Sequence, residues 1–339
     1  MFVMAGIVKT FTYLGRPPRL RSHQALNPIN STMPFAPANG ASLFYEETGS
    51  GIPIVFVHEY ASDYRSWENQ VRYFSREYRC ITFNARGYPP SEVPTRDELY
   101  GQDFAAEDIN AIADHLKLDK MFVVGLSMGA AAALHFAMRY PQRVRGIVFA
   151  AGGSGSDPGQ RERFIQDAYG LAELLETKGL EPMIEGLSYG ATRIQLMAKD
   201  RRGWEEFRRH LLDRSVQGAA LTVRNYQAKR PSLHDFQEQL RSLETPTLIV
   251  AGDEDDPVLE TSLLLKRTMP ASGLVVVPRT GHAVNLEEPA VFNAAMKDFM
   301  SAVERGHWGK RHPLASPERS AMIPTQKQQA DSRARPGQS

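Results

Sequence analysis

"VVGLSMGAAAAL", residues Val123 to Leu134, is the stretch that decides how this chain folds. The apolar run "KMFVV" leads into it, and Ala130 to Ala133 lead out along a helical pattern. Between them stands Ser127, with Gly125 and Gly129 two positions to either side. A serine on a sharp strand-to-helix turn needs such neighbours, because the backbone there is strained and closely approached. The following helix points the positive end of its dipole at the turn. A second G-x-S-x-G match, "GLSYG" at Gly186 to Gly190, lacks this setting. It follows "EPMIE", which is no buried strand, so Ser188 reads as a polar residue in a turn of a helical region. Ser127 is the candidate nucleophile.

Outward from Ser127 the pattern alternates. "IPIVFVH" and "YRCITFNARG" are short apolar runs bounded by turn residues, hence buried strands. "SWENQVRYFSR" spaces Trp67, Val71 and Phe74 as a helix does, and "DFAAEDINAIADHLKL" repeats apolar residues every three or four positions, with Asp103 as its expected N-cap. "VRGIVFAA" is a further strand. This alternation predicts an α/β fold: a doubly wound, mostly parallel sheet. It stops after Ala151, and residues 154–238 are helix-like. "TPTLIVAGDEDD" and "GLVVVPRTGH" then restore the strands before a last helix, "PAVFNAAMKDFMSAVER". The expected organisation is a core of residues 34–153 and 239–305 with an inserted helical cap over 154–238.

A serine hydroxyl is a weak nucleophile until a base takes its proton, and the base needs an orienting acid. "LIVAGDEDDPV" puts acids just past a strand end, and "VVVPRTGHAVNLEEP" puts His282 in the loop after the next strand. The order Ser, Asp, His is the one this strand–turn–helix setting calls for. In an open parallel sheet the carboxyl ends of the strands converge on one crevice.

With these pieces in view, "VFVHEY", "NARGYPPS", "GLSMGA", "AGDEDDPV" and "TGHAVNLEEP" make the chain resemble an α/β-hydrolase fold enzyme from about Phe35 to Glu304. The motifs are specific for the fold and poorly specific for substrate. The resemblance implies Ser127 as nucleophile, His282 as general base and Asp255 as the acid, with Asp256 as runner-up and Asp253 as a brace of the loop. It implies an oxyanion hole from the backbone N–H groups of Met128 and Tyr60. His58, Glu59 and Trp204 are the candidate substrate-binding residues. The chain departs from similar enzymes at His58-Glu59, where they read His-Gly. A carboxylate beside a developing oxyanion opposes catalysis, so Glu59 must point away or be neutralised. Arg86 of "NARG" is the candidate partner. Pro89 and Pro90 are expected to stiffen that loop.

A serine in place of an aspartate argues against the haloalkane dehalogenase and epoxide hydrolase chemistry of some relatives. The expected reaction is hydrolysis of a small or medium carboxylic ester through an acyl-enzyme. Lactone, amide or carbon–carbon bond hydrolysis and cofactor-free perhydrolysis would use the same residues. A lyase using the triad without an acyl-enzyme, and a ligand-binding protein on the same fold, are the other readings. Phe164, Tyr169, Tyr189 and Trp204 could line a pocket, though such aromatics more often pack helices together. Arg193, Arg201, Arg202 and Arg230 could meet a substrate carboxylate, but solvated positions are the expectation.

The rest of the 339-residue chain narrows the partners. Apolar residues make up 42%, enough for a sizeable core, and 40 basic against 39 acidic residues leave no field for nucleic acid. No apolar run reaches the roughly 20 residues that span a bilayer. The one cysteine, Cys80, reads as a small buried hydrophobe, so a reducing, cytoplasmic location is expected. No cofactor or metal site is indicated, and a homo-oligomer is left open. Residues 1–33 are basic and free of acid. That composition fits a transit segment, but a start at Met33 or a disordered leader explains it more simply. Residues 306–339 are polar and aperiodic, and disorder is expected there.

Overall fold

The computed structural model describes residues 34–315, so the expectations for the leader and for most of the tail lie outside the described residues. Eight strands form one sheet: β1 (Phe35–Ala38), β2 (Ala41–Thr48), β3 (Ile52–Val57), β4 (Tyr78–Phe83), β5 (Met121–Leu126), β6 (Val144–Ala150), β7 (Thr247–Gly252) and β8 (Ser272–Val277). Their spatial order is β1-β2-β4-β3-β5-β6-β7-β8. β1 and β2 join antiparallel, and every pair from β4 onward is parallel. The helices follow in chain order: α1 (Glu68–Phe74), α2 (Gln102–His115), α3 (Met128–Arg139), α4 (Arg161–Lys178), α5 (Glu181–Ser188), α6 (Ile194–Lys199), α7 (Arg201–Leu212), α8 (Val216–Leu221), α9 (Gln237–Ser242), α10 (Asp256–Thr268), α11 (Val284–Glu287) and α12 (Pro289–Glu304).

The strands are continuous apolar runs because both faces of the sheet are covered. Val55, Val57 and Val123 face α2 and α3, meeting Ile109, Ile112 and Phe136. Their neighbours Ile54, Phe56, Phe122 and Val124 face the opposite side, against Phe292, Met296 and Phe299 of α12. This period of two follows from the pleat. Cys80 is buried on β4, and burial pushes its thiol up to about 12, so it acts as a small apolar side chain.

The chain runs from β3 outward to β4, then returns past β3 to β5. That reversal opens a crevice at the carboxyl ends of β3 and β5, where such sheets bind ligands. Helices α4 to α9 are inserted between β6 and β7. Most pack in a cluster of their own, where Ala172, Leu175, Trp204 and Phe207 meet Tyr60, Tyr88 and Met128 of the strand-end loops. Two tight contacts dock the insertion on the core. A Cβ on Gly218 would sit 2.0 Å from the Gly87 carbonyl oxygen, and one on Gly281 would sit 2.3 Å from that of Thr192. Between α8 and α9, residues Thr222–Gln227 form a π-helical turn, the wide form that often marks a functional site.

Two local expectations need correction. Asp103 is not the N-cap of α2; Gly101 holds that place, and Asp103, in the first turn, pairs with His135 and Arg139 of α3. Order also continues past Gly306. Trp308 packs edge-on against Phe299 at 4.7 Å, and its Nε1 donates to the Ala271 carbonyl at 2.9 Å. One half-buried indole ties down a stretch that composition reads as tail. Among the described residues no helix is long and apolar enough to cross a membrane.

Candidate active site

Ser127 links β5 directly to α3 with φ +53° and ψ −109°. A non-glycine residue at such angles costs on the order of 1–3 kcal/mol and persists only where its surroundings force it. They do so here: its N–H donates to the Ala150 carbonyl at 2.8 Å, and its carbonyl accepts from Ala131 at 3.1 Å. The flanking glycines are steric necessities. A Cβ on Gly129 would lie 2.1 Å from the Val57 oxygen and 2.7 Å from that of His58, and one on Gly125 would lie 2.2 Å from the Gly129 oxygen. Gly129→Ala should therefore push α3 off the end of β3 and destabilise the fold by about 3 kcal/mol, the upper range for overpacking. Thermal unfolding measures this, and an unchanged Tm would contradict the close approach.

Two backbone N–H groups, at the ends of β5 and β3, have no protein acceptor among the described residues. Met128 is the first residue of α3, so its N–H has no intrahelical acceptor. The Tyr60 N–H likewise has no protein acceptor among the described residues. Tyr60 is pinned by its other groups. Its hydroxyl donates to the Ala219 carbonyl at 3.1 Å, and its carbonyl accepts from the Tyr88 hydroxyl at 3.0 Å. Tyr226, from the π-helical turn, donates to the Met128 carbonyl at 3.1 Å. Sequence patterns gave no sign of that tie, because it depends on how the insertion docks.

His282 and Asp255 meet. The Nδ1 of His282 is 2.6 Å from Oδ2 of Asp255, which is 0% exposed. A carboxylate at Nδ1 holds the proton there and leaves Nε2 as the free acceptor. The His282 loop is braced at several points. Its own N–H donates to the Thr192 carbonyl at 2.7 Å. Glu287 accepts from the N–H groups of Gly281 at 2.8 Å and Ala283 at 3.2 Å, and Asp253 accepts from that of Thr280 at 3.2 Å. Burial raises the Glu287 carboxyl above its ordinary range, opposed by those N–H groups and by Lys199. Asp256 is exposed at the start of α10. No hydrogen bond joins the Ser127 hydroxyl to His282 in this structure. Such bonds are often long before substrate binds.

Beside His282 Nε2 stands Glu59. Its Oε2 is 3.8 Å away, and the residue is 1% exposed. The neutralising partner is not Arg86. Arg86 turns back beneath the loop to Asp108 of α2, with contacts of 2.6 and 2.9 Å and two backbone carbonyls as further acceptors. Glu59 pairs instead with Arg193, just before α6, in a hydrogen-bonded ion pair that crosses from core to insertion. Arg193 is thus buried rather than solvated, as is Arg230, whose Nη2 donates to the Ser154 carbonyl at 2.6 Å. Arg201 and Arg202 are exposed.

Two other expected contacts fall elsewhere. Both ring nitrogens of His58 are taken by backbone: Nε2 accepts from the Ala85 N–H at 3.0 Å, so Nδ1 donates to the Glu59 carbonyl at 2.7 Å. His58 ties the β3 and β4 loops together and has no nitrogen left for a ligand. Trp204 is buried inside the insertion, donating to the Ser188 carbonyl at 2.9 Å and packing on Tyr189. Its size and amphipathic edge suit it to joining helices, not to lining a pocket. Tyr169 and Tyr189 are exposed, and Phe164 lies under Arg230.

The His58 geometry has a pH consequence. Burial pushes its imidazole down to about 4. The unfolded ring takes a proton near its ordinary value of about 6.5. Between those values the unfolded chain binds more protons, so stability is complete above about pH 6.5 and is lost as pH falls toward 4, by on the order of 3 kcal/mol. Thermal unfolding should show a larger drop in Tm from pH 7.5 to 5.0 for the native chain than for His58→Asn. Equal drops would refute the neutral-ring account.

A mainly apolar cavity of about 30 Å³ lies behind Met128 and Gly129, bounded by Tyr88, Thr222 and Tyr226. A polar groove of about 360 Å³ runs between the Ala61–Asn69 stretch and α7. Ser127 and His282 line neither. The Thr192 and Arg193 contacts draw the insertion down onto the His282 loop and Glu59.

Known proteins share this fold. A family model described as alpha/beta hydrolase fold matches residues 52–289. A putative 2-succinyl-6-hydroxy-2,4-cyclohexadiene-1-carboxylate synthase of Bacillus subtilis is 25% identical over 261 residues, covering 74% of this chain and 90% of its own. A 2-hydroxy-6-oxo-6-phenylhexa-2,4-dienoate hydrolase of Burkholderia cepacia is 28% identical over 272 residues, covering 75% and 90%. Among solved structures, a thermophilic esterase from Thermogutta terrifontis superposes with a TM-score of 0.73 at 25% identity, covering 80% of this chain and 99% of that one. Sheet order, strand-end crevice and family match agree: the chain belongs to the α/β-hydrolase fold family.

Proposed function

We propose that this hydrolase cleaves a small or medium carboxylic ester through an acyl-enzyme, with Ser127 as nucleophile, His282 as base and Asp255 as the acid that orients it. The observation that carries the reading is the 2.6 Å contact between His282 Nδ1 and the fully buried Asp255. It leaves Nε2 free to take the Ser127 proton as Oγ bonds to the carbonyl carbon. The oxyanion that forms is met by the N–H groups of Met128 and Tyr60, each such donor contributing about 3 kcal/mol. His282 then gives the proton to the departing alkoxide. Water, activated by the same nitrogen, releases the acid.

For Ser127 to reach His282 Nε2, the ring must be served by Ser127 rather than crowded by Glu59. Arg193 supplies that condition by holding the Glu59 charge. Substrate enters when the insertion lifts and that contact lengthens, a motion usual for lidded enzymes. The test is labelling with a fluorophosphonate probe beside turnover of p-nitrophenyl acetate and butyrate. Labelling of Ser127 with turnover supports the reading; neither would leave a ligand-binding role. The carbon–carbon bond hydrolase among the similar proteins favours one second reading, cleavage of a diketone by the same residues. A panel of esters, lactones and diketones separates the two.

A further inference from the structure

Four arginines are buried among the described residues: Arg86, Arg193, Arg214 and Arg230. Arg86 has Asp108, Arg193 has Glu59, and Arg230 has the Ser154 carbonyl. Arg214 is different. Like Arg230 it is buried with no carboxylate within ion-pair distance among the described residues, but unlike Arg230 it donates to no backbone carbonyl. Its neighbour Asp213 turns outward to Arg65 at 2.8 Å, and Asp63 serves Arg65 as well. Glu59 is committed to Arg193.

The unpaired atoms have a definite shape. Arg214 Nη1 meets the Met183 sulfur at 3.8 Å, a weak acceptor, and the guanidinium also interacts with the Tyr60 hydroxyl. Nε and Nη2 are buried with no partner. Those two nitrogens form one edge of the guanidinium, the edge that takes a carboxylate through two parallel hydrogen bonds. The plane of the group is also set. Its central carbon lies 4.5 Å from the ring centroid of Tyr60 and 4.5 Å from that of Tyr88. Two aromatic walls hold the cation in place and leave its edge as the open valence.

We infer that Arg214 is the anion-binding group of the site proposed above, and that the natural substrate carries a carboxylate which docks on its Nε–Nη2 edge between Tyr60 and Tyr88. This rests on the hydrolase reading for the word substrate, but the binding site stands on Arg214 alone. The place suits the role. Tyr60 carries one of the two proposed oxyanion donors, and the Tyr88 hydroxyl fixes the Tyr60 carbonyl at 3.0 Å. A carboxylate on Arg214 would therefore position the remainder of the ligand over the same residue that meets the reacting carbonyl. One planar two-donor edge matches a carboxylate better than a tetrahedral dianion, which calls for more than one cation. Arg214 comes from the link between α7 and α8, so such a ligand would also tie the insertion to the Tyr60 and Tyr88 loops of the core.

Equilibrium binding tests this without turnover. In full-length Ser127→Ala protein, isothermal titration should show monomethyl glutarate binding at least tenfold tighter than dimethyl glutarate. The difference should vanish when Arg214→Met is added. Arg214→Lys keeps a charge but loses the two-donor edge, and should bind the hemiester at least fivefold more weakly; it decides the matter should the methionine variant not fold. Equal binding of the two esters by Ser127→Ala protein, or a preference that survives either Arg214 substitution unchanged, would overturn the inference. Failure of Ser127 labelling would remove the hydrolase reading and leave these binding results intact.

Discussion

Ser127→Ala is expected to fold and to lose both probe labelling and turnover, with kcat reduced by on the order of 10⁴ to 10⁶. The size follows from removing the atom proposed to form the acyl bond, while binding and oxyanion donors alone retain a modest rate over water. Alanine suits the turn no worse than serine, since both carry a Cβ at φ +53° and the Ser127 N–H bond to Ala150 is backbone. The contrast is Ser188→Ala. Ser188 closes α5, its side chain is buried, and its hydroxyl has no partner to lose. That variant should label and turn over as the native chain does. Labelling that persists in Ser127→Ala, or disappears in Ser188→Ala, would place the nucleophile elsewhere.

The two serines also show how far the sequence could be read. They share one pattern, and only the flanking periodicity separates them: a strand of apolar residues before Ser127, a run of alanines after it. Those are local signals, and the β5–Ser127–α3 turn carries them in full. The alternation of strands and helices is equally local, so the parallel sheet was legible, as were the loops holding Asp255 and His282. What escaped depends on docking between distant segments. Glu59 and Arg193 are 134 residues apart, and nothing near either names the other. Arg86 looked closer because similar enzymes place its loop close to that of Glu59, yet its side chain runs the opposite way, to α2. Trp204 and Trp308 were misplaced for the same reason. An indole's hydrophobicity says that it will be covered, but not by what. Arg214 could not be singled out at all, because a missing partner is visible only once every neighbour is in place.

Asp255→Asn should lower kcat by on the order of 10⁴, and the cause here extends past the usual one. An asparagine amide can donate to Nδ1, which moves the ring proton to Nε2, the nitrogen that must accept from Ser127. In this protein that misplaced proton finds a carboxylate waiting, since Glu59 Oε2 is 3.8 Å from Nε2. Glu59 would therefore stabilise the wrong tautomer and deepen the loss. Adding Glu59→Gln removes that charge, so the double variant should recover up to about tenfold in kcat relative to Asp255→Asn. In the native background Glu59→Gln has no such tautomer to release, and instead leaves the Arg193 guanidinium buried without its counter-charge. The same substitution is thus expected to raise kcat in one background and not in the other. A four-way comparison of kcat for p-nitrophenyl butyrate measures the coupling. Were Glu59→Gln to change kcat by the same factor in both, Glu59 would have no hold on the His282 ring, and its place beside Nε2 would serve only the docking of the insertion.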